Sequence, residues 1–98
     1  MDVAYRLSDI DFVWDRKKAQ SNLRKHGIAF ETASEVFFDP FICLIGTDVV
    51  SGEERETVIG MTNDWRLLRV IYIFRSETVR IISARPVTIQ ERKTYEEQ

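Results

Sequence analysis

The chain has 98 residues, 44% of them hydrophobic and 31% charged, with a formal net charge of −2; this is the composition of one folded domain with one core, not of a disordered or membrane-embedded chain. Its longest apolar stretches, such as Phe41–Ile45, are strand length, far below the roughly 20 residues of a membrane span. No apolar run follows a basic start at the N-terminus, so the expected setting is the cytoplasm, with no secretory signal and no membrane partner.

No repeat, low-complexity tract or linker divides the sequence, so residues 1–98 read as a single domain, with residues 1–10 a polar, pattern-poor N-terminal extension. Asp11–Trp14 reads as a short strand, aromatic and β-branched. Asp15 fits the N-cap of the helix that follows. That helix runs through Ala19 and Leu23 to His26 and stops at Gly27. Residues 16–26 hold Arg16, Lys17, Lys18, Arg24 and Lys25 and no acid, against the chain's overall acidity. Its apolar stripe, Ala19 and Leu23 flanked by Asn22, is narrow, so most of the helix is expected to be wet. Such a basic face suits local phosphate contact, although solvated helices also carry charge of this kind.

A second helix is predicted from Phe30 to about Phe38, apolar at Phe30, Ala33, Val36 and Phe37 and ended by Pro40. Four strands follow: Phe41–Ile45, Glu54–Met61, Arg66–Phe74 and Thr78–Arg85. The single cysteine, Cys43, permits no internal disulfide and is expected to be a small buried hydrophobe of the first of these. In the third, Leu68, Val70, Tyr72 and Phe74 point one way, and Leu67, Arg69, Ile71, Ile73 and Arg75 the other. Thr62–Trp65 and Arg75–Glu77 are short enough for hairpin turns, and Trp65 is the one aromatic expected to be exposed. Thr88-Ile-Gln-Glu91 is a capping box opening a last helix that reaches about Glu97. This order predicts an α+β fold: a small antiparallel sheet with two N-terminal helices and one C-terminal helix packed on one face. The uncovered face would carry Arg69 and Arg75.

His26 is the only histidine. At a helix C-terminus it either caps carbonyls before Gly27 or serves as a proton carrier, the one side chain here that titrates near neutrality unperturbed. With no second histidine and no Cys or Asp cluster at metal-ligand spacing, neither a metal nor a cofactor is expected. Arg55, Arg69, Arg75, Arg80 and Arg85 all fall within or at the ends of predicted strands. Guanidinium groups on so small a sheet need partners, either Glu53, Glu54 and Glu56 across the strands or a bound phosphate, which the fork geometry suits. Arg80 and Arg85 differ by an odd number, so in a regular strand they face opposite sides unless a bulge intervenes. Arg85 shares parity with Ser83 and, at the strand's exit, is expected to be wet rather than packed.

Several separated pieces occur in order: Trp14-Asp15 … Lys18-Ala19 … Asn22 … Lys25-His26-Gly27, Phe30-Glu31 … Ala33 … Val36-Phe37 … Asp39-Pro40, Gly52-Glu53 … Arg55, Ile59-Gly60, Arg66-Leu67-Leu68, Tyr72, Arg80-Ile-Ile-Ser-Ala-Arg85 and Glu91-Arg92 … Tyr95-Glu96. Together, over about residues 12–97, they resemble the BrnT family of toxins from bacterial type II toxin–antitoxin pairs. The resemblance implies a RelE-like fold, RNA cleavage that arrests translation, and neutralisation by a ribbon–helix–helix antitoxin (BrnA-like) whose complex with the toxin binds promoter DNA. It implies metal-free chemistry on the RNA 2′-hydroxyl, with His26 as the acid–base group and Arg55, Arg75 and Arg85 holding the phosphoryl charge. Lys25, Arg69 and Arg80 would bind the RNA substrate. Two other readings stand beside it: a non-catalytic module binding an antitoxin or acidic partner, and a plain structural domain with solvated charges.

Overall fold

The basic helix forms between two local stop signals. Asp15 accepts a hydrogen bond from the Lys18 backbone N–H, and Gly27 adopts φ 70°, a left-handed stop that a Cβ would strain. The computed structural model describes residues 1–98 and places this helix, α1, over Arg16–His26. A short α2 (Phe30–Ser34) begins at Ala29 with no side-chain cap and tightens into one 3₁₀ turn over Glu35–Phe38. Strands β1 (Asp2–Leu7), β2 (Ile10–Asp15), β3 (Cys43–Val50), β4 (Glu53–Met61), β5 (Leu67–Arg75) and β6 (Thr78–Pro86) make one sheet in the order β1-β2-β6-β5-β4-β3, followed by α3 (Ile89–Glu96).

Three expectations are corrected. Residues 1–10 are no loose extension: half-buried Val3, Tyr5 and Leu7 alternate with exposed Asp2, Ala4 and Arg6, and β1 pairs with β2 from Asp2↔Asp15 to Leu7↔Ile10. Period-two alternation with charges between the apolar residues is what a half-buried edge strand shows. The sheet is mixed rather than antiparallel, because β2 runs parallel to β6 through Phe12↔Val79 and Val13↔Arg80. The helices carry the chain away from β2, and the strand that later returns beside it arrives in the same direction. The helices also do not share one face. No residue of α3 is buried, and its Glu91 grips Arg85, whose side chain lies on the face opposite α1 and α2. With no buried residue of its own, α3 is fastened by polar contacts, Glu91 to Arg85 and the Tyr95 hydroxyl to Asp39.

The core fills the face beneath α1 and α2. Phe12 and Trp14 from β2, Val79, Ile81 and Ala84 from β6, Leu68 and Val70 from β5 and Val58 from β4 bury against Ile28, Phe30, Ala33 and Val36. Each large apolar side chain so buried contributes about 1.5–3 kcal/mol. The Trp14 and Phe30 rings meet edge to face at 5.7 Å. Gly60 lies directly under the 3₁₀ turn, where a Cβ would stand 2.7 Å from the Cβ of Val36. At the far edge, the apolar run is not buried as its composition suggested. Strand β3 has a neighbour on one side only, leaving Leu44, Ile45, Val49 and Val50 exposed and Cys43 half-buried.

Candidate functional site

A single extra residue arranges the arginines. Strands β5 and β6 pair from Leu68↔Pro86 to Ile71↔Ser83 and resume at Tyr72↔Ile81, so Ile82 is the bulged residue. The bulge shifts the alternation by one position. Arg80, opposite Ile73, and Arg85, opposite Arg69, therefore reach the same face despite their odd spacing. Arg75 shares that face by parity with Arg69, and Arg55 joins it one residue beyond the Glu56↔Tyr72 pair. All the strand arginines stand away from α1 and α2.

Their partners differ. Arg80 forks onto Asp2, Nη1 to Oδ1 at 3.3 Å and Nη2 to Oδ2 at 2.7 Å. Arg75 Nη1 is 3.4 Å from Glu53, and these two side chains are well exposed. Arg85 donates through Nη1 and Nη2 to both Glu91 oxygens at 3.0 Å, and its Nη1 also donates to the Pro86 carbonyl at 2.9 Å. Glu91 in turn accepts the Thr88 backbone N–H at 2.9 Å, closing the capping box. The expectation of a wet Arg85 is thus corrected: its side chain is 25% exposed and doubly paired, because the capping carboxylate of α3 starts within reach of the strand's exit. Burial pushes the Glu91 carboxyl up, but the hydrogen bond from Arg85 and that from Thr88 outweigh it and hold the group below its usual range.

Arg69 and Arg55 are the exceptions, and Arg69 is the one beside Arg85. Arg69 forms no ion pair, and its Nε is buried without a hydrogen-bond partner, as is that of Arg55. Burial first, and then the like charge of Arg85 directly opposite, lower the Arg69 pKa, while Glu91 opposes them. Like charges facing each other across strands are destabilising, and an unpaired buried donor costs about 1–3 kcal/mol. Two guanidinium groups thus face each other with one carboxylate, Glu91, which pairs with Arg85 alone, an excess of positive charge that suits a further anion.

The other predicted residues fall elsewhere. Arg75 and Arg80 line a separate cleft of about 180 Å³ with Val13, Ile73 and Thr78. Lys25 and His26 line a groove of about 220 Å³ between α1 and β6, with Lys18, Ser21, Ile82 and Ser83. What fastens α1 there is Asn22, which sequence reasoning placed only beside the apolar stripe. Its Nδ2 donates to the carbonyls of Ile28 at 3.0 Å and Ala84 at 2.8 Å, and its Oδ1 accepts the Ala84 N–H at 3.1 Å. The side-chain amide thus does for β6 what a neighbouring strand would, beyond the point where β2 has left it. Leu23, part of the narrow apolar stripe, is 51% exposed. Asp39 is a second hub that sequence reasoning missed, accepting the Phe41 N–H at 2.9 Å, the Met61 N–H at 2.8 Å and the Tyr95 hydroxyl at 2.6 Å.

The family described as the ribonuclease toxin, BrnT, of type II toxin–antitoxin systems matches over residues 14–91. The chain belongs to the BrnT family. The crystal structure of the Brucella abortus ribonuclease toxin BrnT is similar to it at 26% identity, with a TM-score of 0.51 over 76% of this chain and 92% of that one. No curated protein matches the chain in sequence. Membership of the BrnT family brings an antitoxin as partner. The α+β architecture is BrnT-like, with six strands in a mixed sheet and three α-helices. No helix is long and apolar enough to cross a membrane. The BrnT match includes α1 and every strand arginine but not β1, so the Asp2 that occupies Arg80 lies outside it.

Proposed function

We propose that the chain is an endoribonuclease toxin that cleaves RNA without a metal ion and is neutralised by a ribbon–helix–helix antitoxin. The observation that carries the reading is Arg69: a guanidinium with no carboxylate partner, set directly opposite Arg85 on the face of the sheet away from α1 and α2. In the reaction the 2′-hydroxyl attacks its adjacent phosphorus, the P–O2′ bond forms as the P–O5′ bond breaks, and a cyclic phosphate and a free 5′-hydroxyl result. The hydroxyl's proton must be taken up, and the leaving 5′-oxygen must receive one. Arginine is too basic to move protons at neutral pH, so Arg69 and Arg85, with Arg55, hold the charge that grows on the phosphoryl oxygens. Arg75 and Arg80 extend the same face as RNA-binding residues. His26, exposed at the end of α1 in the groove that Ser83 also lines, is the acid–base group, and Lys25 assists beside it.

The test is induced expression without the antitoxin, followed by incubation of purified protein with single-stranded RNA in the presence of EDTA. Growth arrest and EDTA-resistant cleavage are expected, and His26→Gln is expected to slow cleavage by about 10²–10⁴ with an unchanged melting temperature. Intact RNA with continuing translation would remove the nuclease reading and leave a binding module.

A further inference from the structure

Lys18, Ser21 and Ser83, which line the α1–β6 groove with Lys25 and His26, have no part in the chemistry above. Lys18, Ser21 and Lys25 recur at helical spacing on one side of α1, so they line up along the groove rather than around the helix. Neither Lys18 nor Lys25 forms an ion pair, and no acid stands anywhere in residues 16–26 to neutralise them. The opposite wall is the bulge itself, Ile82 and Ser83, and Ser83 shares a face with Arg85 and Arg69. The walls are fixed relative to each other, because Asn22 binds the N–H and the carbonyl of Ala84, one residue past Ser83. The groove's six polar residues include three potential cations, Lys18, Lys25 and His26, and its Ser83 wall stands two positions from Arg85 on the same face of β6.

We propose that this groove seats the backbone phosphates of the single-stranded RNA flanking the cleaved bond, with Lys18 and Lys25 as charge partners and Ser21 and Ser83 as hydroxyl partners. The RNA strand then runs from Arg69 and Arg85, across Ser83 at the bulge, into the cleft along α1. Lys18 and Ser83 become substrate-binding residues, and Asn22 is the positioning residue that keeps the cleft open to a fixed width. The bulge gathers the arginines on one face, and the two residues at it, Ile82 and Ser83, also form the groove wall opposite α1. This inference rests on the ribonuclease reading and adds to it the path of the substrate.

The experiment uses the full chain and a single-stranded RNA oligonucleotide carrying 2′-O-methyl groups, which binds without being cleaved. Affinity is measured against salt concentration for the wild type, Lys18→Ala, Lys25→Ala and, as a control on the same helix outside the groove, Lys17→Ala. Each phosphate contact that is lost should lower the slope of log K against log salt by about 0.7. Lys18→Ala and Lys25→Ala should each show that drop, their combination about twice it, and Lys17→Ala none. An unchanged slope in Lys18→Ala, or the same drop in Lys17→Ala, would overturn the groove while leaving the nuclease reading intact. A wild-type chain that fails to bind the oligonucleotide would overturn both.

Discussion

On the face beneath α1 and α2, strands β2, β6, β5 and β4 present Phe12, Trp14, Val79, Ile81, Ala84, Leu68, Val70 and Val58, and none of these carries a charge. On the other face, three of the same strands present Arg80, Arg85, Arg69, Arg75 and Arg55. The first face is dry and complete: its one buried amide, Asn22, has its partners within the chain. The second is only partly satisfied, since Arg80, Arg75 and Arg85 have carboxylates while Arg69 and Arg55 each keep an unpartnered N–H. Complete pairing makes a fold, and incomplete pairing leaves free energy for a ligand. Substitutions should therefore sort by which side of the sheet a residue faces.

The largest expected effect is on the open face. Arg69→Ala should lower the RNA cleavage rate by about 10²–10³, by analogy with removal of one preorganised oxyanion donor. Its melting temperature should hold or rise, because the substitution removes an unpaired donor and the repulsion from Arg85. Arg85→Ala separates the two functions less cleanly. It strands Glu91, so a stability loss of about 1.5–3 kcal/mol should accompany the loss of activity. A destabilised Arg69→Ala with normal cleavage would break the comparison between the faces.

On the closed face, Asn22→Ala should cost about 3 kcal/mol in urea unfolding, because it leaves the Ile28 carbonyl and both polar groups of Ala84 without partners. A loss below about 1 kcal/mol would mean that the brace is replaceable by water.

Much of the closed face was legible because it depends on periodicity alone. The caps at Asp15, Gly27 and Thr88 and the alternation of β5 are local, and local rules reach them. Trp65 is exposed as expected, but it is not the one exposed aromatic, because Phe38, Phe41 and Phe74 are exposed too. The open face was half legible. Parity put Arg69 and Arg75 together, but the union of Arg80 with Arg85 needs the bulge at Ile82, and a bulge has no signature in a run such as Arg-Ile-Ile-Ser-Ala-Arg. The parallel β2–β6 pair, the ion pair between Asp2 and Arg80 across 78 positions and the grip of Asn22 on Ala84 across 62 are likewise products of topology. The helix α3 was misplaced for a related reason. Its capping box predicts that it forms, while where it lies depends on Arg85 and Asp39.

The smallest expected effect lies at the boundary between the two faces, where Asp39 and Tyr95 hold α3. Burial raises the Asp39 carboxyl, but hydrogen bonds from Tyr95, Phe41 and Met61 outweigh it and keep the group below its usual range. A depressed carboxylate contributes stability that is present above its unfolded pKa, about 3.9, and is lost as pH falls through the folded value. Tyr95 shifts the other way: burial, then Asp39, push its hydroxyl up to about 12. That contribution is complete below the unfolded value of about 10 and is lost as pH rises toward the folded one. The clasp should therefore loosen at both ends of the pH scale. Tyr72 is also pushed up to about 12, by burial and then Glu56, so the alkaline limb of the wild type alone reports both tyrosines. The difference between wild type and Tyr95→Phe isolates the clasp. It should amount to about 1 kcal/mol near neutrality, which is roughly 4–8 °C in Tm for a domain of this size, and shrink between about pH 10 and 12. If the two melting curves stay parallel through that range, the Tyr95–Asp39 bond does not fasten α3, and the pairing of Arg85 with Glu91 holds it alone.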